Sequence, residues 1–175
     1  MKNIKKHNRS KEDGQSMLEF VLVLPVFLLL LFMIIDFGWL FYNMNNVQTA
    51  TRNAARVACV EFTDTCFNTT AEGNWDLVDS KEYSISDYVA NSSSYTIQEQ
   101  DILDQVSNSL TSNQDTTTVT ISYSGGPTVE ERIDGDVTVA VKYRINSITG
   151  IIGIGQGGMY RDFTATSTFK VEKNG

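Results

Sequence analysis

Met17–Tyr42 reads MLEFVLVLPVFLLLLFMIIDFGWLFY, and the sixteen residues from Phe20 to Ile35 carry no charge. A hydrocarbon core of about 30 Å is crossed by roughly 20 apolar residues in a helix, at about 1.5 Å each. The stretch therefore predicts one membrane-spanning helix, over residues 15–42. Five basic residues (Lys2, Lys5, Lys6, Arg9 and Lys11) crowd the leader 1–14 that precedes it. Lys/Arg excess beside a span marks the cytoplasmic side, which places the leader inside and everything after Tyr42 outside. Trp39, Phe41 and Tyr42 suit the aromatic belt of the outer interface.

Three residues set this span apart from a plain anchor. Glu19 sits at its inner edge, where a carboxylate is costly unless it is protonated, snorkelling or paired. Pro25 removes one helical hydrogen bond and frees the Val21 carbonyl. Asp36 falls near the outer end, close enough to the interface to reach water. Each taken singly is compatible with an ordinary signal anchor; together they form a pattern.

That pattern, KEDGQSMLEF at residues 11–20, resembles the prepilin class: a short basic leader ending in Gly14, Glu19 at the fifth position after it with Phe20 beside it, then a long apolar helix. The wider segment EDGQSMLEFVLVLPVFLLLLFMIIDFGWLFYNMNNVQTATRNAARVA, residues 12–58, is similar to the N-terminal signature of TadE-like pseudopilins of the tight-adherence (Tad) pilus system. Shared points are Gly14, Glu19-Phe20, the LVLP run ending at Pro25, the triplet Asp36-Phe37-Gly38, and the run Arg52–Ala58. The resemblance implies cleavage between Gly14 and Gln15 by a prepilin peptidase, a membrane aspartic protease working on the cytoplasmic face, so that the apolar helix is retained. It also implies that Glu19 meets the new amine of Gln15 on a neighbouring subunit or takes part in recruitment. Glu19, Phe20, Pro25 and Asp36 then serve helix pairing with other pilin-like subunits and the assembly machinery. A removable secretory signal fits less well, because the apolar run exceeds the usual 7 to 15 residues and no small-x-small site follows it closely.

Charge is divided along the chain. Removing the leader's five basic and two acidic residues from totals of 14 and 21 leaves 9 and 19, so the remainder carries a net charge of −10. That argues against nucleic acid as a partner, whose phosphates demand a basic face. His7 is the sole histidine and lies in the leader, which removes imidazole-dependent nucleophile pairs and histidine zinc sites from whatever remains after processing. The expectation is a protein that is not an enzyme and carries no cofactor or metal. Its alternative identity is an uncleaved single-pass anchor presenting an adhesive or scaffolding domain outside the membrane.

Past Tyr42 the helix is predicted to extend over 43–60, since Gly and Pro are absent and Met44, Val47, Thr51, Ala54 and Ala58 share one side. Ala50, Ala54 and Ala58 permit close approach, either to the chain's own sheet or to a neighbouring subunit. Cys59 and Cys66 are spaced to allow a disulfide outside the membrane, and two free thiols are the other possibility. Residues 61–115 read as loops rich in Ser, Thr, Asn and Asp, with one short amphipathic helix near 101–110.

An antiparallel sheet is predicted over 116–172. Val119, Ile121 and Tyr123 alternate; Val137 to Ile145 alternate without a break; Phe163 to Val171 close the set. Thr128 to Ile133 suggests an edge strand turning through Asp134-Gly135, and the acidic residues there (Glu130, Glu131, Asp134, Asp136) suit a solvated turn. The glycine-rich, isoleucine-rich stretch 147–159 reads as an apolar loop resting on the membrane, the helix or a partner. The predicted architecture is α+β: a long N-terminal transmembrane helix with an amphipathic extension, capped by a three- or four-stranded antiparallel sheet and a short helix.

Overall fold

The computed structural model describes residues 9–60, 67–69, 75–77, 80–110, 114–124, 135–150 and 160–172. One helix, α1 (Arg9–Val60), runs 52 residues, about 78 Å at the usual rise, and passes through Pro25 without interruption. No part of its most apolar window is buried within the protein, and the helix is long and apolar enough to cross a membrane. From Asp36 onward its character changes. Asp36, Val47, Ala50, Thr51, Ala54, Ala55, Ala58 and Cys59 are buried at spacings of three and four, while Gln48, Arg52, Asn53 and Arg56 stay exposed.

The inward stripe packs against the helix Ile97–Ser107 and the strands Asp136–Asn146 and Tyr160–Lys170. Ala54, Ala55 and Ala58 are fully buried, so the backbone of α1 lies close on the sheet. Of the two partners left open for the alanines, the chain's own domain takes them.

Short strands β1 (Phe67–Thr69) and β2 (Trp75–Leu77) pair antiparallel. The main sheet is antiparallel in the order β3 (Ser80–Ser84), β4 (Thr118–Tyr123), β5 (Asp136–Asn146), β6 (Tyr160–Lys170). Its inner face carries Val119, Ile121 and Tyr123 opposite Val141, Val139 and Val137, then Ala165 and Phe163 opposite Val141 and Tyr143. Tyr143 and Phe163 stack at 5.9 Å between ring centres. Burial alone raises the Tyr143 phenol to about 12. On the outer face Thr138 and Thr168 share a 2.9 Å hydroxyl bond and Arg144 holds Asp162 through two hydrogen bonds of 2.7 and 3.1 Å. The top of the fold is closed by the Glu172 amide donating to the Cys59 carbonyl at 3.1 Å and the Tyr123 hydroxyl donating to the Ala58 carbonyl at 3.4 Å. These bonds tie the last turn of α1 to the sheet.

The fold class follows the sequence expectation, with four strands in the main sheet. Differences lie in the polar middle of the chain. Strand β3 and helix α2 (Ile85–Ala90) arise within the stretch read as loops, and α3 runs Ile97–Ser107, starting four residues before the predicted helix. Two buried anchors explain α2: Ile85 is fully inside and the Tyr88 hydroxyl donates to Asp104 at 2.6 Å. That burial and the adjacent carboxylate push the Tyr88 phenol upward. The early start of α3 comes from a capping box, in which Thr96 Oγ1 accepts from the Glu99 amide at 3.3 Å and Glu99 Oε2 accepts from the Thr96 amide at 2.9 Å. The proposed edge strand over 128–133, the acidic turn residues Glu130, Glu131 and Asp134, and the glycines 153–158 lie outside the described residues.

Glu99 links α3 to the sheet. Its Oε1 accepts from Lys81 Nζ at 2.7 Å and from the Tyr83 hydroxyl at 2.6 Å, and the residue is 7 % exposed. Burial opposes the charged form, but the bonds from Lys81, Tyr83 and the Thr96 amide outweigh it and hold the carboxyl below its ordinary range. A carboxyl depressed in the folded state stabilises above its unfolded pKa of about 4.3, and that contribution is lost as pH falls through the lower, folded value. Glu99→Gln should therefore cost about 1–3 kcal/mol at neutral pH. The deficit relative to the unsubstituted protein should shrink on acidification below the carboxylate range. Thermal unfolding of both proteins across pH 3 to 7 measures this, and a deficit that stays constant would contradict it.

Candidate anchoring and assembly segment

Gly14, Gln15, Glu19, Phe20 and Pro25 all lie on the free-standing part of α1, and all are exposed. A side chain at Gly14 would meet nothing within 4 Å. The bond from Gly14 to Gln15 sits within helical backbone. Among the described residues, Glu19 has no hydrogen-bond or ion-pair partner. The structure thus brings none of these five into contact with the domain.

Asp36 is placed differently. It was expected to reach water at the outer interface, and instead it is 1 % exposed. Strand β5 ends at Asn146 beside α1, and the following turn, Ser147 to Gly150, folds over the carboxylate. Asp36 Oδ1 accepts from the backbone amides of Ile148 at 3.1 Å and Thr149 at 3.0 Å. Asp36 Oδ2 accepts from the Ser147 hydroxyl at 2.7 Å and from the Thr149 hydroxyl. Successive amides aimed at one point form an anion-binding concavity, and here two hydroxyls complete it. The turn is closed by the Gly150 amide donating to Ser147 Oγ at 2.8 Å, with Gly150 at φ 83°, a left-handed backbone that favours glycine. A charge this deeply buried is tolerated because each carboxylate oxygen has two donors.

This is a clasp between the helix and the far end of the sheet. Trp39 and Leu40, one turn further on, pack against the core beside it. Asp36 therefore joins two parts of one chain, and its carboxylate has four donors within that chain.

Cys59 also departs from one of its two expected states. It is a buried free thiol that donates to the Arg56 carbonyl at 3.1 Å, while Cys66 lies outside the described residues. Cys59 forms no disulfide with any described residue, and its side chain lies on the inward stripe of α1 with Ala55 and Ala58, 5 % exposed. Burial, then the charge of Glu172, pushes the thiol's pKa up, which disfavours the reactive thiolate.

Removing the clasp's acceptor leaves two amides and two hydroxyls without their partner. Asp36→Ala is expected to raise amide exchange at Ile148 and Thr149 by at least tenfold, the equivalent of about 1.4 kcal/mol, while β4 exchanges as before. Unchanged protection at Ile148 and Thr149 would show that the turn is held by something else.

Residues 14–56 match the family model described as TadE-like protein. No curated protein and no solved structure matches the chain. The matched stretch contains Glu19, the proline, the clasp aspartate and the packed Ala50, Ala54 and Ala55, but not the domain that follows. Over residues 14–56 of its 175, the chain is similar to the TadE-like family, in keeping with the resemblance carried by its N-terminal residues.

Proposed function

We propose that this chain is a membrane-anchored minor pilin or pseudopilin-like protein of Tad-type pilus assembly, cleaved after Gly14 by a prepilin peptidase. The observation that carries the reading is the TadE-like match over a helix whose most apolar window is not buried against any of the described residues. Such a surface needs lipid or other apolar helices around it. The basic leader favours a cytoplasmic N-terminus and an extracytoplasmic domain.

Several residues take specific roles in this reading. Gly14 disfavours helix by about 1 kcal/mol relative to alanine, so the segment before Gln15 opens more readily into the extended form a protease needs. Glu19 lacks a partner among the described residues, and the new amine of Gln15 on an adjacent subunit would supply one. Exposed Phe20 and Pro25 lie on the same free half and meet other pilin-like helices. Asp36 is assigned a different part, holding the domain to the helix. The chain itself has no catalytic activity, cofactor or nucleic-acid partner in this reading.

The intact mass of the protein from membranes of cells with and without the prepilin peptidase tests processing. Loss of Met1 through Gly14 only where the peptidase is present is expected. A full-length mass in both would leave an uncleaved single-pass anchor presenting its outer domain. Glu19→Ala separately tests the pairing: pilus production should fall sharply while membrane insertion is retained, and undiminished pili would refute that role.

A further inference from the structure

The clasp fixes where the bilayer can end. Irregular backbone is not tolerated in lipid-exposed hydrocarbon, since its polar groups go unsatisfied. The Ser147–Gly150 turn is hydrogen-bonded to Asp36, so it sits at the height of that residue along α1. The outer hydrocarbon boundary must therefore lie at or below Asp36. Counting back, Met17 to Ile35 gives 19 residues, about 28 Å of helix, which nearly fills a core of about 30 Å. The boundary is pinned from both directions to the Ile35–Asp36 turn of the helix, which leaves no stalk between membrane and domain.

The surface at that height is suited to lipid. Ile148, in the clasp turn, is 59 % exposed although its amide is bound to Asp36. Tyr160, which opens β6, is 43 % exposed, and its ring lies 3.8 Å from the Arg144 guanidinium. Phe37 is exposed on the next helical position, and Trp39 stacks with Tyr42 at 6.1 Å just above. Aromatic rings with a polar handle, an isolated aliphatic side chain and an arginine are the composition of a membrane interface.

We propose that the lower end of the domain, the Ser147–Gly150 turn together with Tyr160, rests on the outer bilayer surface, with Ile148 entering the boundary between headgroups and acyl chains. The proposal depends on α1 being the membrane anchor. Contact at two places, the span and the turn, orients the domain on the membrane instead of leaving it to pivot. Two acidic groups lie near this end: Asp36 is enclosed by the turn, and Asp162 is held by Arg144. Neither presents an unpaired charge to the headgroups.

The test uses the full chain in phosphatidylcholine nanodiscs, with Cys59→Ala and Cys66→Ser and one spin-labelled cysteine at position 30, 148 or 166. Relative accessibility to oxygen and to a water-soluble nickel chelate reads depth. Position 30 should report the hydrocarbon, position 148 the interface and position 166, on the outer sheet face, water. If 148 is as open to nickel as 166 while 30 remains in lipid, the domain does not touch the membrane and the proposal is overturned. If 30 is also open to nickel, the anchor reading fails with it. Hydroxyl-radical footprinting of the unsubstituted chain in the same discs removes any dependence on folding of the variants. Val89, 54 % exposed on α2, serves as the reference for Ile148. Ile148 should be oxidised several-fold less than Val89, corrected for intrinsic reactivity, and equal oxidation would overturn the proposal.

Discussion

A single carboxylate, Asp36, joins the domain to the helix at the point where the apolar, uncovered half of α1 gives way to the packed half. A buried charge is stable only if surrounded by donors, and the structure supplies four from one turn: the Ile148 and Thr149 amides and the Ser147 and Thr149 hydroxyls. Because those donors follow β5, one of the two central strands, the position of the sheet is set relative to the helix at that point. The other end of the same helix is fastened by the Glu172 amide on the Cys59 carbonyl. Between these two fastenings Ala54, Ala55 and Ala58 let the sheet approach, and the domain becomes an extension of the helix rather than a body on a tether.

The two halves of α1 meet their solvents in opposite ways. Below Asp36 the apolar run of the helix is hydrophobic all round and none of the described residues buries its most apolar window, as suits a helix among lipids or other helices. Above Asp36 only one stripe is inward, and the opposite face bears Gln48, Arg52, Asn53 and Arg56. Glu19 and Asp36 bracket the apolar half and differ in circumstance: one carboxylate lacks a described partner and the other has four donors. That contrast separates, within the matched stretch, a carboxylate left open by the described residues from one used in the chain's own architecture. In the assembly reading, only the first is free for other subunits.

Much of this was legible from local pattern. The span is declared by composition, and β5 by the alternation of Val137, Val139, Val141, Tyr143 and Ile145, all of which face the core. The inward stripe on α1 was visible as small residues at helical spacing. Strand β3 was not, because in Ser80–Ser84 only Tyr83 is buried, and an edge strand with one core residue has no alternation to read. Helix α2 has six residues, too few for a helical period to declare itself. The start of α3 could have been found: Thr96 and Glu99 at the capping-box spacing precede the apolar positions 102, 103 and 106. Asp36 could not, since its partners lie more than 110 residues away and Ser-Ile-Thr-Gly is by itself only a turn. A lone carboxylate near an interface is ordinarily satisfied by water, and only the tertiary fold reveals the alternative.

The measurement that bears most directly on a domain fixed to its membrane helix is a spin–spin distance distribution. Labels would be placed at position 30, in the apolar half of α1, and at position 120, on the outer face of β4, in the full chain reconstituted in lipid. A single narrow distance that broadens on Asp36→Ala is predicted. A broad distribution in the unsubstituted chain would contradict it, since the domain would then move freely on the helix whatever the clasp does.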